Sequence, residues 1–395
     1  MNWQKTRLGN IITTKKGFAF KSAKYVDSGV PIVRVSDFTS DSISEGDLKY
    51  YPKEEAQNYL DYELHYKDII IQTVGSWPNN PASVVGKVVR VPYILDKSLL
   101  NQNAVKIVPK NNIDNDFLYY RLKSRDFDGH VIGQARGAAN QASITLETIR
   151  SFKMSIPDYS EQIRLGKILT QYDDLIANNN KRIKILEQMA ENLYKEWFVR
   201  FRFPGYETAE FVDGVPKDWS VVKLHNYVDI KAGGDRPNLC KNIPDDKCNI
   251  PIYSNGINND GLYGYTTEAV IKKESITISA RGTVGFVCLR RKPFVPIVRL
   301  LALTPTSDDL SAIYLYYLLR NDELIGNGTS QQQITIPMVQ KKKVLKPKRD
   351  IVRQFTSYAK ELWDEIDLLQ QQNQNLTKQR DYLLPRLMSG KLQVK

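Results

Sequence analysis

Apolar residues recur at alternating spacings of three and four along two long stretches of the chain, the pattern of a helix with one buried stripe. The first stretch runs from about Asp158 to about Phe201, and the second occupies the C-terminal part of the sequence. Asp158 and Glu161 have the spacing of a capping box, and Pro204-Gly205 ends the helix. A seven-residue repeat needs a partner helix, and the simplest partner is the other stretch. The sequence therefore predicts two long antiparallel helices that form a coiled coil.

One polar residue, Asn179, interrupts the apolar rows of the first helix. Those rows are Leu165, Tyr172, Asn179, Leu186 and Leu193, and Leu169, Ile176, Ile183, Ala190 and Trp197. An asparagine in such a row can fix the register of a coiled coil. An exposed asparagine where two helices splay apart explains it equally well, so both interpretations stay open.

An internal repeat organises the whole chain. A shift of 190 residues, without gaps, places Ile144-Thr145 on Ile334-Thr335 and Pro157 on Pro347. Upstream, the same order of features recurs with gaps; matching segments are Trp3 and Trp219, Asp68–Gly75 and Glu274–Gly285, and Leu118–Tyr120 and Leu315–Tyr317. The chain is therefore two halves, each a globular module followed by a long helix. We assign the modules to residues 1–157 and 204–347 and the helices to 158–203 and 348–395.

Each module has mixed α/β character. Short runs such as Val84–Val91 and Ser275–Ile278 are rich in β-formers and are bounded by turn signals. A helix around Asp114–Leu122 closes the first module, and one around Leu310–Arg320 closes the second. The predicted fold class is α+β, with two mixed α/β modules joined by two long antiparallel helices and related by a pseudo-twofold repeat.

The charge balance indicates the kind of partner. The 395 residues include 56 Lys+Arg and 44 Asp+Glu, a net charge of +12. The first helix is nearly balanced in charge, so the surplus lies mainly in the modules and their junctions, with six basic residues in the nine of Lys341–Arg349. This surplus favours a polyanionic partner. No apolar run approaches 18 residues, and the start lacks a signal-peptide core, so we expect a cytoplasmic protein without membrane spans.

Familiar catalytic motifs are missing from the sequence. It contains no phosphate loop and no dinucleotide-binding fingerprint. His65, His130 and His225 lack ligand spacing, and Cys240 and Cys248 do not form a zinc knuckle. We therefore expect no catalytic residue, bound cofactor or metal in this chain, although a site built from scattered carboxylates stays open.

Several loops combine small residues with amide and basic side chains, as do proteins that read the grooves of DNA. Asn and Gln can pair with adenine, Arg can pair with guanine, and Lys can neutralise phosphates. An ordinary hydrogen-bonded turn is the alternative for any single loop. The candidate DNA-contacting residues are Lys15, Lys16, Lys21, Asn79, Asn80, Arg136, Asn140 and Gln141 in the first module, and Arg236, Asn238, Asn255, Asn258, Arg281, Thr283, Arg290, Arg291, Ser330, Gln331 and Gln332 in the second.

Short motifs in the helices and loops carry a resemblance to a known family. They are Ile156-Pro157 with Gln162 and Leu165, Ile168-Leu169 with Asp173-Asp174, Leu193–Phe198, Ser279–Gly285 and Leu384–Leu392. With the duplicated order of module and helix, the chain resembles the specificity subunits of type I restriction–modification systems over essentially its whole length. The second half departs from the first at Val352, which stands where the first half has Gln162.

The resemblance implies a function and a set of partners. Each module would be a target recognition domain that reads one half of a split double-stranded DNA site, and the helix pair would set the spacing between the halves. Two methyltransferase subunits would dock on the chain and supply S-adenosylmethionine, and a restriction endonuclease/translocase subunit would use ATP and magnesium. The chain itself would have no turnover. Two alternatives remain: a stand-alone nucleic-acid enzyme with a carboxylate site, and a coiled-coil scaffold that does not bind DNA.

Overall fold

The computed structural model describes residues 3–39, 41–78, 84–138, 141–321 and 333–392. The chain divides into two compact units. Unit 1 comprises Met1–Asn178 and Gln372–Lys395, and unit 2 comprises Asn179–Gln371. Each unit thus contains one module together with part of both long helices, so the compact units cut across the four segments predicted from the sequence.

The helices and strands follow the repeat. The helices are α1 Leu8–Ile11, α2 Lys53–Ala56, α3 Asn115–Leu122, α4 Arg125–Gln134, α5 Leu146–Arg150, α6 Tyr159–Tyr194, α7 Ala312–Arg320, α8 Ile336–Lys341 and α9 Arg349–Met388. The strands of unit 1 are β1 Gln4–Arg7, β2 Ile12–Lys16, β3 Val30–Val33, β4 Lys49–Tyr51, β5 Glu63–Leu64, β6 Ile69–Gln72, β7 Val74–Gly75, β8 Val88–Arg90, β9 Ser98–Leu100, β10 Ala104–Pro109, β11 Ala142–Ser143 and β12 Lys153–Ile156. Those of unit 2 are β13 Phe211–Val212, β14 Val215–Pro216, β15 Ser220–Lys223, β16 Val228–Ala232, β17 Ile250–Tyr253, β18 Leu262–Thr266, β19 Ser275–Ser279, β20 Val287–Arg290, β21 Val295–Pro296, β22 Leu300–Pro305 and β23 Lys343–Lys346.

The two units share a sheet topology. An antiparallel sheet in the order β2-β10-β6-β8 forms in unit 1, and its counterpart in unit 2 has the order β16-β22-β19-β20. A second sheet contains one parallel pair in each unit, β3 with β9 and β17 with β21. A two-stranded ribbon precedes each long helix, β1 with β12 and β15 with β23. The predicted repeat and the mixed α/β character of the modules are confirmed.

The long helices begin where the sequence predicts. Asp158 accepts the backbone N–H of Glu161 at 2.9 Å and so caps α6, which continues as one π-helical turn over Lys195–Val199. In unit 2, Arg182 pairs with Glu365 at 2.6 Å and Tyr194 packs against Phe355. The partner number falls as the number along α6 rises, so the two segments are antiparallel there.

Asn179 is buried, which excludes the exposed position at a splay between helices. A buried polar residue in an otherwise apolar row is the feature that restricts register in coiled coils.

The paired helices use different chemistry in the two units at positions that the 190-residue shift makes equivalent. In unit 1, Asp173 of α6 binds Arg380 of α9 at 2.7 Å and accepts the hydroxyl of Tyr120 at 2.5 Å. The equivalent positions in unit 2 are Trp363 of α9 and Ala190 of α6. There Trp363 packs against the core cluster that contains Ala190, and its Nε1 donates to the Tyr317 hydroxyl at 3.2 Å. An ion pair in one unit thus corresponds to an apolar contact in the other.

Gln162 ties the start of α6 to the module. Its Oε1 accepts the backbone N–H of Asp114 at 3.0 Å, and its Nε2 donates to the carbonyl of Pro157 at 3.0 Å. Asp114 in turn caps α3 by accepting the N–H of Phe117 at 2.7 Å. The side chain is buried, so both backbone groups depend on it for a partner.

We expect Gln162→Ala to lower the free energy of unfolding by about 1–3 kcal/mol, because it leaves the half-buried N–H of Asp114 and the buried carbonyl of Pro157 without this partner. Urea denaturation of the full chain measures the change. Lys167→Ala is the matched control, since Lys167 is exposed on the same helix and its loss should cost no more than about 0.5 kcal/mol. Equal midpoints for the two variants would show that Gln162 contributes no such contact.

Candidate DNA interface

Two loops of unit 2, those of Asn255 and Arg281, meet beside the end of β19 and are joined by hydrogen bonds. The Asn255 side chain donates from Nδ2 to the carbonyl of Arg281 at 2.8 Å. The Asn255 carbonyl accepts the hydroxyls of Thr283 at 2.7 Å and Ser279 at 3.4 Å. Gly282 lies between Arg281 and Thr283 with φ of +79°, and a Cβ there would lie 2.7 Å from Asn255 Nδ2. The turn therefore requires glycine at this position.

A third segment joins this cluster through Gln333. Arg281 donates from Nη2 to Gln333 Oε1 at 2.7 Å. The next residue, Ile334, is buried and its N–H donates to the carbonyl of Ala280 at 3.0 Å. The structure thus brings together Asn255, Arg281 and Thr283, three residues predicted from the sequence. It adds Gln333, which belongs to the same glutamine run as Gln331 and Gln332 but was not among the predicted residues.

The other predicted residues of unit 2 fall into two groups. Asn258 is exposed on the Asn255 loop, and Asn238 is exposed on the loop after β16. Arg236, on that same loop, is exposed and donates to the Tyr263 hydroxyl at 3.4 Å. These three side chains stay available to a partner.

Arg290 and Arg291 are placed differently, and the predicted phosphate contacts do not fit their surroundings. Arg290 is buried, stacks on the Tyr253 ring at 3.6 Å from its centroid, and donates to Thr277 Oγ1 at 2.9 Å. Arg291 forms ion pairs with Asp364 and, at 2.8 Å, with Asp367. Both guanidinium groups are therefore engaged inside unit 2, and we remove them from the candidate interface.

The predicted residues of unit 1 lie on one strand and around one ribbon. Lys15 and Lys16 are exposed on β2, and Lys21 is exposed just beyond it. Arg136 and Gln141 are exposed next to the β7–β11 ribbon, where the backbones of Arg136 and Ser143 exchange hydrogen bonds of 2.9 and 2.8 Å. The remaining predictions lie outside the described residues: Asn79, Asn80, Asn140, Ser330, Gln331 and Gln332.

A pair of facing cations occurs at the same place in both units. Arg7 lies directly opposite Lys153 in the β1–β12 ribbon, and Lys223 lies directly opposite Lys343 in the β15–β23 ribbon. All four are exposed, and within the described ranges no carboxylate forms an ion pair with them. Like charges at facing positions destabilise a strand pair, and an anionic partner would relieve that repulsion. These basic residues are visible in the sequence, but their facing arrangement depends on strand register.

Other reactive groups of the described chain are in ordinary settings. All three cysteines are free thiols. Burial raises the pKa of Cys288 to about 11, so this thiol is neutral near pH 7. Within the described ranges, His, Cys, Asp and Glu side chains form no group of three or more that could hold a metal ion. No helix in the described parts of the chain has the length and apolar character needed to span a membrane.

The repeated fold and its loop clusters define a protein with two equivalent modules suited to a polyanion. The family model for the type I restriction modification DNA specificity domain matches residues 1–188 and again residues 216–378. The two matches cover most of the sequence, and the chain belongs to this family.

Named relatives agree with the family model. The putative type I restriction enzyme MjaX specificity subunit of Methanocaldococcus jannaschii is 25% identical over 415 residues, which cover 100% of this chain and 94% of that protein. The type I restriction enzyme HindI specificity subunit of Haemophilus influenzae is 24% identical, over 78% of this chain and 84% of that protein. The crystal structure of a type I restriction-modification system S subunit from M. genitalium has a TM-score of 0.57 at 16% identity, covering 100% of this chain and 97% of that chain. This last likeness shows the shared fold.

Proposed function

We propose that this chain is the DNA sequence-specificity subunit of a type I restriction–modification complex and that each unit reads one half of a split DNA site. The observation that carries the proposal is the duplicated module, matched twice by the same DNA specificity family model. Two readers on one chain suit a site with two separate parts. The helix pair would set the number of unread base pairs between them.

Recognition within each unit combines two kinds of contact. The exposed cations of the ribbons and of β2 would neutralise phosphates and hold the unit on the duplex without regard to sequence. Amide and guanidinium side chains of the loop clusters, such as Arg281, would then pair with base edges in the major groove. The loops differ between the units, which lets one chain read two different half-sites.

The chemistry would belong to partner subunits. Two methyltransferase subunits would bind S-adenosylmethionine and modify the DNA, and a restriction subunit would use ATP and magnesium for translocation and cleavage. The chain's own task would be to place these partners on a chosen sequence.

We expect co-expression of the full chain with the methyltransferase subunit of its system to produce methylation at a split motif with a fixed spacer. Genome-wide mapping of methylated adenines measures this. A contiguous motif or methylation without sequence preference would contradict the two-reader proposal. Methylation or nicking by the purified chain alone would instead favour a stand-alone enzyme.

Duplex binding by the same complex tests the scaffold alternative. The affinity should fall steeply as salt rises, because each phosphate contact releases counterions. A complex with no affinity for duplex DNA even at low salt would favour a scaffold without a DNA-binding role.

A further inference from the structure

We infer that Arg281 reads a guanine in the half-site bound by unit 2, and that Asn255 and Gln333 are positioning residues that hold this arginine in its reading orientation. The inference rests on the proposed function, which does not itself say which base is read or which residues fix the reader. Its physical basis is a set of contacts that restrain both the backbone and the side chain of one exposed arginine.

The backbone of Arg281 is restrained on both sides. On one side its carbonyl accepts Asn255 Nδ2 at 2.8 Å, and Asn255 is itself held by the Thr283 hydroxyl at 2.7 Å. On the other side Gly282 adopts a left-handed conformation with too little room for a side chain. The position from which the guanidinium extends is therefore set before any ligand arrives.

The side chain is restrained as well. Gln333 Oε1 accepts one hydrogen of Arg281 Nη2 at 2.7 Å, and the chain at Gln333 is fixed by the buried Ile334 and its bond to the Ala280 carbonyl. Nη2 carries a second hydrogen, so this contact still leaves a planar pair of donors on the guanidinium. Such a fork matches the O6 and N7 acceptors of guanine in the major groove.

Exposure separates Arg281 from Arg290 and Arg291. Arg290 is enclosed by Tyr253, Thr277 and the backbone of Asp260, and Arg291 is committed to acidic residues of α9. Arg281 is exposed, and its partner in the cluster is a neutral amide rather than a carboxylate. Its charge is therefore not neutralised by Gln333, and a base edge can approach it.

Unit 1 has different residues at the same place. The bond from the Ile144 N–H to the Thr73 carbonyl, at 2.9 Å, is equivalent to the bond from Ile334 to Ala280. Val74 therefore stands where unit 2 has Arg281, and Ser143 stands where it has Gln333. The arginine cluster belongs to unit 2, so its loss should change one half-site and leave the other intact.

The test maps the methylated motif of the full complex for Arg281→Ala, Gln333→Ala and Gln333→Glu. We expect Arg281→Ala to reduce the preference for guanine at one position by about ten- to a hundredfold, the range of a bidentate base contact. Gln333→Ala should weaken the preference at that same position by roughly severalfold, consistent with loss of a positioning contact. Gln333→Glu keeps the acceptor and should retain the guanine preference.

Two controls separate reading from folding and from charge. Thermal unfolding midpoints of the variants should match that of the unchanged chain, which a general loss of structure would not allow. Lys272→Ala removes an exposed positive charge of unit 2 and should leave the base preference at every position unchanged.

The outcomes distinguish this inference from the proposed function. If the unchanged complex shows no split motif, the proposed function fails. If the motif is split but Arg281→Ala alters no guanine position, or alters both half-sites equally, the assignment of Arg281 is overturned. If Gln333→Ala matches the unchanged chain at every position, the positioning role of Gln333 is overturned.

Discussion

Phe355→Ala is expected to lower the free energy of unfolding by about 3–5 kcal/mol, the range for removing a large aromatic residue from a core. Phe355 is completely buried on α9, where its ring contacts Phe198 at 5.0 Å between centroids and also meets Tyr194, Trp197 and Tyr317. These rings belong to α6, its terminal turn and α7. Alanine would leave a cavity and remove several edge-to-face ring contacts at once.

Urea denaturation of the full chain, followed by circular dichroism, measures that loss. Leu368→Ala is the matched control, because Leu368 is 59% exposed on the same helix and its truncation should cost no more than about 0.5 kcal/mol. A Phe355→Ala variant as stable as the Leu368→Ala variant would mean that the aromatic cluster is not packed as described.

Arg380→Ala is expected to lower the free energy of unfolding by about 2–3 kcal/mol, since it leaves the carboxylates of Asp41, Asp173 and Asp381 without their guanidinium partner. Arg380 binds Asp173 at 2.7 Å and Asp41 at 3.2 Å, and its own side chain is 10% exposed. Removing one partner of a buried pair costs about 3–5 kcal/mol. The expected value is smaller here because Asp173 and Asp41 are 26% and 41% exposed. Arg380→Met keeps the apolar stem and separates lost packing from lost charge.

The cost of Arg380→Ala should depend on pH. Burial by itself would raise the pKa of Asp41, but Lys123 and Arg380 together hold that pKa below its usual value. A carboxyl group whose pKa is lowered in the folded state stabilises the fold at pH values above its ordinary pKa of about 3.9. That contribution is lost as the pH falls through the lowered pKa. The stability difference between Arg380→Ala and the unchanged chain should therefore be full at pH 7 and shrink below about pH 4. A difference that stays constant down to pH 3 would contradict an ionic origin.

Local patterns in the sequence were enough to predict the helices and the repeat. The start of α6 depends on residues close together in the chain, Asp158 and Glu161, and the antiparallel pairing follows from matched apolar rows. Sheet order was not predictable, because β10 pairs with β2 and β6 across long stretches of chain. The facing cations Arg7 and Lys153 depend on the same long-range register.

The grouping of the candidate residues was only partly predictable, for a similar reason. Polar loops of the right composition located Asn255, Arg281 and Thr283, but composition could not show that Gln333 contacts Arg281. Arg290 was predicted to contact DNA because of its charge alone, whereas the structure buries its side chain. Cys288 and Arg290 are two residues apart on β20 and therefore lie on the same face of the strand. This spacing was a signal that the arginine points into the fold.

The differing helix contacts of the two units bear on which helices can pair with each other. If two copies of the first helix paired in the same way, Asp173 would face Ala190 instead of a guanidinium. If two copies of the second helix paired, Arg380 would face Trp363 instead of a carboxylate. A pair of identical helices would thus have one unpaired charge near each end of the pair. The pairing of α6 with α9 has no unpaired charge at these four positions. The two helices are complementary at these positions, and a symmetric assembly of either half would lack the ion pair between Asp173 and Arg380.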